Sequence, residues 1–128
     1  MLKLFLFAGI GGFTGSVLRY ALNIFFDKIH LNSLPYSTFT INITGSFVAG
    51  ILMALFLKHP SFNEELRVLL VIGFCGGLTT FSGFAYENLM LIQQSKYPEF
   101  IIYSFLSLTT GIISVVTGMW LANNFILK

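Results

Sequence analysis

The stretch Gly73-Phe74-Cys75-Gly76-Gly77-Leu78-Thr79-Thr80-Phe81-Ser82-Gly83-Phe84 holds the residues of this chain best suited to handle an ion. Its paired glycines and paired threonines are poor helix formers, the first through backbone freedom, the second through branching at Cβ. A helix interrupted here inside a membrane frees carbonyls and amides that lipid cannot satisfy. Such backbone persists only where it lines a cavity or holds an ion. Phe81 and Phe84 follow at once. Their ring edges carry partial positive charge, so they can face a small anion without trapping it as a fixed cation would. Taken alone, a phenylalanine pair three residues apart is ordinary packing.

Asn42 sits inside a second apolar run, with Thr38 one turn before it and Ser46 one turn after. Residues four apart share a helix face, so these three form a stripe of neutral donors. Tyr103, Ser107, Gly111, Ser114 and Gly118 repeat the pattern near the C-terminus. A lone mid-membrane asparagine is usually interhelical glue; a stripe fits a hydrated track. Cation channels use acidic rings, and proton-coupled pumps use embedded carboxylates. Here the carboxylate within an apolar run is Glu87, close enough to the end of its run to be interfacial. What remains is amides, hydroxyls and aromatic edges, the groups a desolvated anion needs.

The elements that must hold these residues follow from composition. Of 128 residues, 55% are hydrophobic and 9% charged, against roughly 25% charged in a soluble domain. A chain so poor in charge takes lipid as its solvent. A membrane-crossing helix needs about 20 apolar residues, and four stretches qualify: 4–26, 36–57, 66–92 and 100–127, the third interrupted near 76–80. Polar breaks separate them at Asp27–Ser33, at Lys58-His59-Pro60 with Asn63-Glu64-Glu65, and at Gln93–Glu99 with its Pro98. The expected architecture is all-α and integral to the membrane, one domain whose neighbouring helices run antiparallel. The first run outlasts the core of a signal peptide and is read as a retained span. Gly11-x-x-x-Gly15, Gly12-x-x-x-Ser16, Gly45-x-x-x-Ala49 and Ser46-x-x-x-Gly50 offer small-residue seams for close packing.

Several functions fall away. Cys75 is the one cysteine and His30 and His59 are the two histidines, an inventory too small for a disulfide or a cysteine- or histidine-built metal centre. An enzyme lacks its nucleophile–base pair or metal cluster. A net charge of +2 on scattered residues gives nucleic acid no track to follow. Charge leaves orientation open. Lys3, Lys58, Arg67 and Lys128 share one side, while Lys28 and Lys96 lie opposite with Arg19 leaning their way. The positive-inside rule has little to act on, so a weak single orientation and insertion both ways stand level.

Gly76-Gly77-Leu78-Thr79-Thr80-Phe81-Ser82-x-Phe84, with Glu87 following, resembles the signature of the Fluc (CrcB) fluoride channels. Gly12-x-x-Gly15-x-x-x-Arg19-Tyr20, Thr38-x-x-x-Asn42 and Tyr103-x-x-x-Ser107 match that family in order and spacing. The resemblance implies four transmembrane helices per subunit with helix 3 broken, paired as an antiparallel, dual-topology homodimer in a bacterial plasma (inner) membrane. It implies passive, fluoride-selective export from the cytoplasm through two separate pathways. By carry-over, the ring edges of Phe81 and Phe84 and the amide of Asn42 would meet fluoride. Thr38, Thr80 and Ser107 would be further donors, Tyr103 and Glu87 would stand near the exit, and Arg19 would help form an electropositive vestibule. The family also implies a structural sodium ion at the dimer centre, held by the backbone carbonyls of Gly76 and Thr79 from each subunit.

Two positions depart from the family pattern. Gly83 stands where threonine or serine is usual, and Gly111 lies near the place of a second pathway serine. The competing reading is a small dual-topology multidrug or cation exporter, also four-spanned. It needs a carboxylate deep in a helix, and the first span has none before Asp27. A scaffolding subunit would leave both donor stripes unexplained.

Overall fold

The computed structural model describes residues 1–29, 35–59 and 63–126, without the side chains of 27–29 and 126. These residues form α1 (Leu2–Ile29), α2 (Tyr36–Lys58), α3 (Glu64–Arg67), a π-helical stretch (Val68–Cys75), α4 (Gly76–Leu78), α5 (Phe81–Gln93) and α6 (Tyr97–Leu121). A final π-helical turn covers Ala122–Ile126, and no strand occurs among the described residues. Leu2–Phe26, Tyr36–Lys58, Glu64–Gln93 and Tyr97–Phe125 are each long and apolar enough to cross a membrane. Large apolar side chains such as Phe5, Phe13, Phe105 and Ile112 point outward, as a hydrocarbon solvent favours. The chain is a multi-pass membrane protein.

Three boundaries differ from expectation, each for a physical reason. Asp27, Lys28 and Ile29 complete α1 rather than opening a loop; residues 30–34, with His30, lie outside the described residues, as do 60–62 and 127–128. The third span opens at Glu64 because carboxylates suit the positive end of a helix dipole, and Glu64 and Glu65 fill its first turn. Lys3 Nζ lies 3.2 Å from Glu65 and ties the start of α1 to that turn. The fourth span opens at Tyr97 because Pro98 falls in the first turn, where its missing N–H has no ladder partner to lose.

Two tight pairings build the bundle: α1 lies along the third span and α2 along α6. Glycine permits both approaches. A Cβ on Gly15 would stand 2.2 Å from Phe74 O, and one on Gly118 would stand 2.3 Å from Phe47 O. The seam through Gly11 and Gly15 therefore seats the third span, and α6 offers its own small face to α2. Between α5 and α6 the chain reverses in a Schellman turn. Ser95 takes a φ of 57°, Ser95 N–H donates to Ile92 O at 2.9 Å, and Lys96 N–H donates to Leu91 O at 2.9 Å.

Inside the third span, Gly76 and Gly77 are helical, contrary to the expectation that they weaken the helix. Packing bears on Gly77: a Cβ there would lie 2.5 Å from Gly12 O of α1. The threonines after them are extended, Thr79 at φ −80°, ψ 154° and Thr80 at φ −146°, ψ 120°. That conformation suits side chains branched at Cβ.

Candidate functional site

Two extended residues inside a span leave the helical ladder incomplete, and side chains from other helices make up part of it. Asn42 of α2 faces Thr80. Its Nδ2 donates to Thr80 O at 3.1 Å, and its Oδ1 accepts from Thr80 N–H at 2.8 Å. This two-way pairing fixes the orientation of the amide and uses one of its two N–H groups. Thr80 in turn caps α5, its Oγ1 accepting from Gly83 N–H at 3.0 Å and lying 3.1 Å from Ser82 Oγ. On the other side, Gly77 O accepts from Arg19 Nε at 3.1 Å and from Ser16 Oγ at 3.4 Å.

Gly76 and Thr79 are left differently. In an unbroken helix their carbonyls would accept from the amides of Thr80 and Gly83. Those amides donate instead to Asn42 Oδ1 and Thr80 Oγ1. Both carbonyls thus lose their ladder partners.

Beside the interruption lies a cavity of about 180 Å³. Phe39, Asn42, Ile43 and Ser46 of α2 form one wall, and Ser107, Leu108 and Gly111 of α6 another. Thr79, Thr80, Phe81 and Phe84 close it, and among the described residues no charged side chain lines it. The Phe81 and Phe84 ring centroids are 5.7 Å apart, and Phe84 and Tyr103 are 5.4 Å apart. Phe81 leaves 76% of its surface uncovered. Ser107 Oγ is buried without a hydrogen-bond partner among the described residues. A Cβ on Gly111 would meet nothing within 4 Å, so its missing side chain leaves room.

Further along α5, Glu87 Oε1 accepts from Thr38 Oγ1 at 2.5 Å and Oε2 accepts from Tyr103 O–H at 2.7 Å. Thr38 and Tyr103 are each 5% exposed. Glu87 is therefore drawn into the contact of α2, α5 and α6, beside the first turn of α2. The structure gathers Asn42, Thr79, Thr80, Phe81, Phe84 and Ser107 at one cavity and Thr38, Glu87 and Tyr103 in an adjoining cluster. Arg19 stands apart from both, held against Gly77 where α1 meets α4.

Residues 6–119 match the family described as CrcB-like protein, Camphor Resistance (CrcB). The chain belongs to that family. A relative from Azobacteroides pseudotrichonymphae genomovar. CFP2 is 38% identical over 125 residues, which span 98% of this chain and 100% of that one. A second, from Leptospira interrogans serovar copenhageni, is 39% identical over 123 residues, 96% of this chain and 97% of its own. A third, from Escherichia coli K12, is 37% identical over 121 residues, 94% of each. All three are named fluoride-specific ion channel FluC.

In this CrcB chain three further polar residues join the region: Ser16, expected as part of a packing seam, and Ser104 and Asn88, of which nothing was expected. Ser16 reaches Gly77 O, and Ser104 Oγ donates to Asn88 Oδ1 at 2.8 Å. Asn88 Nδ2 donates to Phe84 O at 3.0 Å. A signal for the last two exists: an amide beside Glu87 and a hydroxyl beside Tyr103, each inside an apolar run.

Proposed function

We propose that the protein is a fluoride channel, an antiparallel dual-topology homodimer through which fluoride leaves the cytoplasm passively. The observation that carries this reading is the uncharged cavity at Thr79–Thr80, polar only through amide and hydroxyl groups and flanked by Phe81 and Phe84. Fluoride is small and tightly hydrated, so it enters a membrane protein only where donors replace its water. The second Nδ2–H of Asn42 and the hydroxyls of Ser107 and Thr80 are such donors, and the positive ring edges of Phe81 and Phe84 add to them. Among the described residues no lysine or arginine lines the cavity to retain the ion. Conduction needs sites favourable enough to enter and weak enough to leave. Thr38 and Tyr103, both donating to Glu87, carry the path toward its exit, and Arg19 lends positive charge to the vestibule. The relatives named as fluoride-specific channels support the same anion.

Meeting at the interruption, two copies would bring together four carbonyls, Gly76 and Thr79 from each, all without their ladder amides. Neutral hard oxygens of this kind fit a structural sodium ion, which supplies the positive charge that lipid cannot offer them. The test of the channel is efflux from liposomes holding the purified protein, read with a fluoride electrode beside a chloride control. Fluoride efflux without chloride efflux is expected; no fluoride efflux, or equal loss of both, overturns the reading. For the cation, protein purified with a large organic cation should regain flux and dimer stability as sodium is returned. Indifference to sodium over the whole range counts against the site.

A further inference from the structure

Glu87 and Asn88 are neighbours on α5, as Tyr103 and Ser104 are on α6, and each residue bonds its counterpart across the contact. Tyr103 O–H donates to Glu87 Oε2 at 2.7 Å, and Ser104 Oγ donates to Asn88 Oδ1 at 2.8 Å. Successive residues of a helix point about 100° apart around its axis. A helix held by one such bond can still roll about it. A second bond, about 100° away, stops the roll.

Asn88 does more than meet Ser104. It is 7% exposed, and its Nδ2 donates to Phe84 O, one turn earlier, at 3.0 Å. The same amide thus joins α6 to the backbone of the residue whose ring lines the cavity. We propose that Asn88 and Ser104 are a positioning pair that sets the roll of α5 on α6 and so aims Phe84 at the cavity and holds Glu87 in its cluster with Thr38 and Tyr103. The pair touches no ion and lies outside the cavity lining; its effect on conduction is indirect. This inference rests on the fluoride-channel reading for its functional readout.

The experiment compares full-length wild type with Asn88→Leu, Ser104→Ala and Ser104→Thr in liposomes. Asn88→Leu and Ser104→Ala are expected to lower fluoride flux per folded dimer by about tenfold, and Ser104→Thr, which keeps the hydroxyl, to restore it to within about twofold. Melting in detergent and elution as a dimer give the folded fraction. A flux that falls only with the folded fraction, or does not fall, overturns positioning and leaves a structural bond. Should Asn88→Leu not fold, the two Ser104 variants decide alone. A second readout needs no conduction: a cysteine introduced by Phe84→Cys in a Cys75→Ser background, labelled by a small charged thiol reagent. Adding Ser104→Ala should slow that labelling severalfold; an unchanged rate overturns the proposal. If wild type passes no fluoride but the labelling rate still responds to Ser104→Ala, the channel reading falls and the positioning pair stands.

Discussion

At the residue scale the two phenylalanines pose a question that substitution answers. Isoleucine keeps most of the bulk of a ring and removes its positive edge. Quadrupolar contacts of a ring are worth about 0.5–1.5 kcal/mol, so Phe81→Ile and Phe84→Ile should each cut fluoride flux by about twofold to thirteenfold. Size-exclusion profiles should stay dimeric. Wild-type flux in both variants would make the pair packing only. Asn42 separates two kinds of work in one side chain. Asn42→Ala strips Thr80 N–H and O of their partner inside the membrane, where each unsatisfied group costs several kcal/mol. Loss of folded protein is the expected outcome, measured by detergent melting. Asn42→Asp still accepts from Thr80 N–H but turns a carboxylate toward Thr80 O and toward the anion. It should lose flux even where folded protein is recovered, and a conducting Asn42→Asp would remove Asn42 from the path.

At the element scale the third span shows why some of this was legible beforehand and some was not. The sequence separates four spans because lipid demands long apolar runs, and that demand leaves no choice of element. Interior detail depends on contacts that no single run contains. Gly76 and Gly77 are poor helix formers in isolation, yet Gly77 is kept helical by the approach of Gly12, a neighbour 65 positions away by number (77 − 12). Asn42 was recognisable as a polar residue in a stripe. Its pairing with the Thr80 backbone was not, because that pairing exists only once Thr80 is extended. Pro98 and the Glu64–Glu65 pair looked like loop residues and are helix starts, since first-turn positions tolerate a missing N–H and attract negative charge. The close approach of Gly77 makes a test of the element. Valine there places its Cβ against Gly12 O and must part α1 from α4, at a cost of about 1–3 kcal/mol. The same separation takes Gly77 O from Arg19 and Ser16. Gly77→Val should melt earlier in detergent and lose flux, whereas Gly9→Ala, with nothing within 4 Å of its Cβ, should melt as wild type. Equal melting of all three proteins would show that the approach is not tight in the membrane.

At the scale of the whole molecule the question is how one sequence supplies both halves of an antiparallel pair. Insertion is biased by lysine and arginine in short loops and near span ends, counted almost without regard to acidic residues. Lys28 and Lys96, with Arg19 leaning their way, oppose Lys3, Lys58, Arg67 and Lys128, three against four. An excess of one is a weak instruction, so both orientations should form. Reporters fused to the C-terminus, one active on each side of the membrane, should both give signal at native expression. The stronger test couples orientation to function. Three lysines added beside Lys96 should drive the chain one way, and three beside Lys58 the other. Each biased protein expressed alone should show a one-sided reporter and little fluoride efflux from cells, because antiparallel partners are missing. Co-expressing the two should restore efflux toward wild type. Full efflux from either biased protein alone would mean that parallel subunits suffice, and the antiparallel assembly proposed for this chain would be wrong.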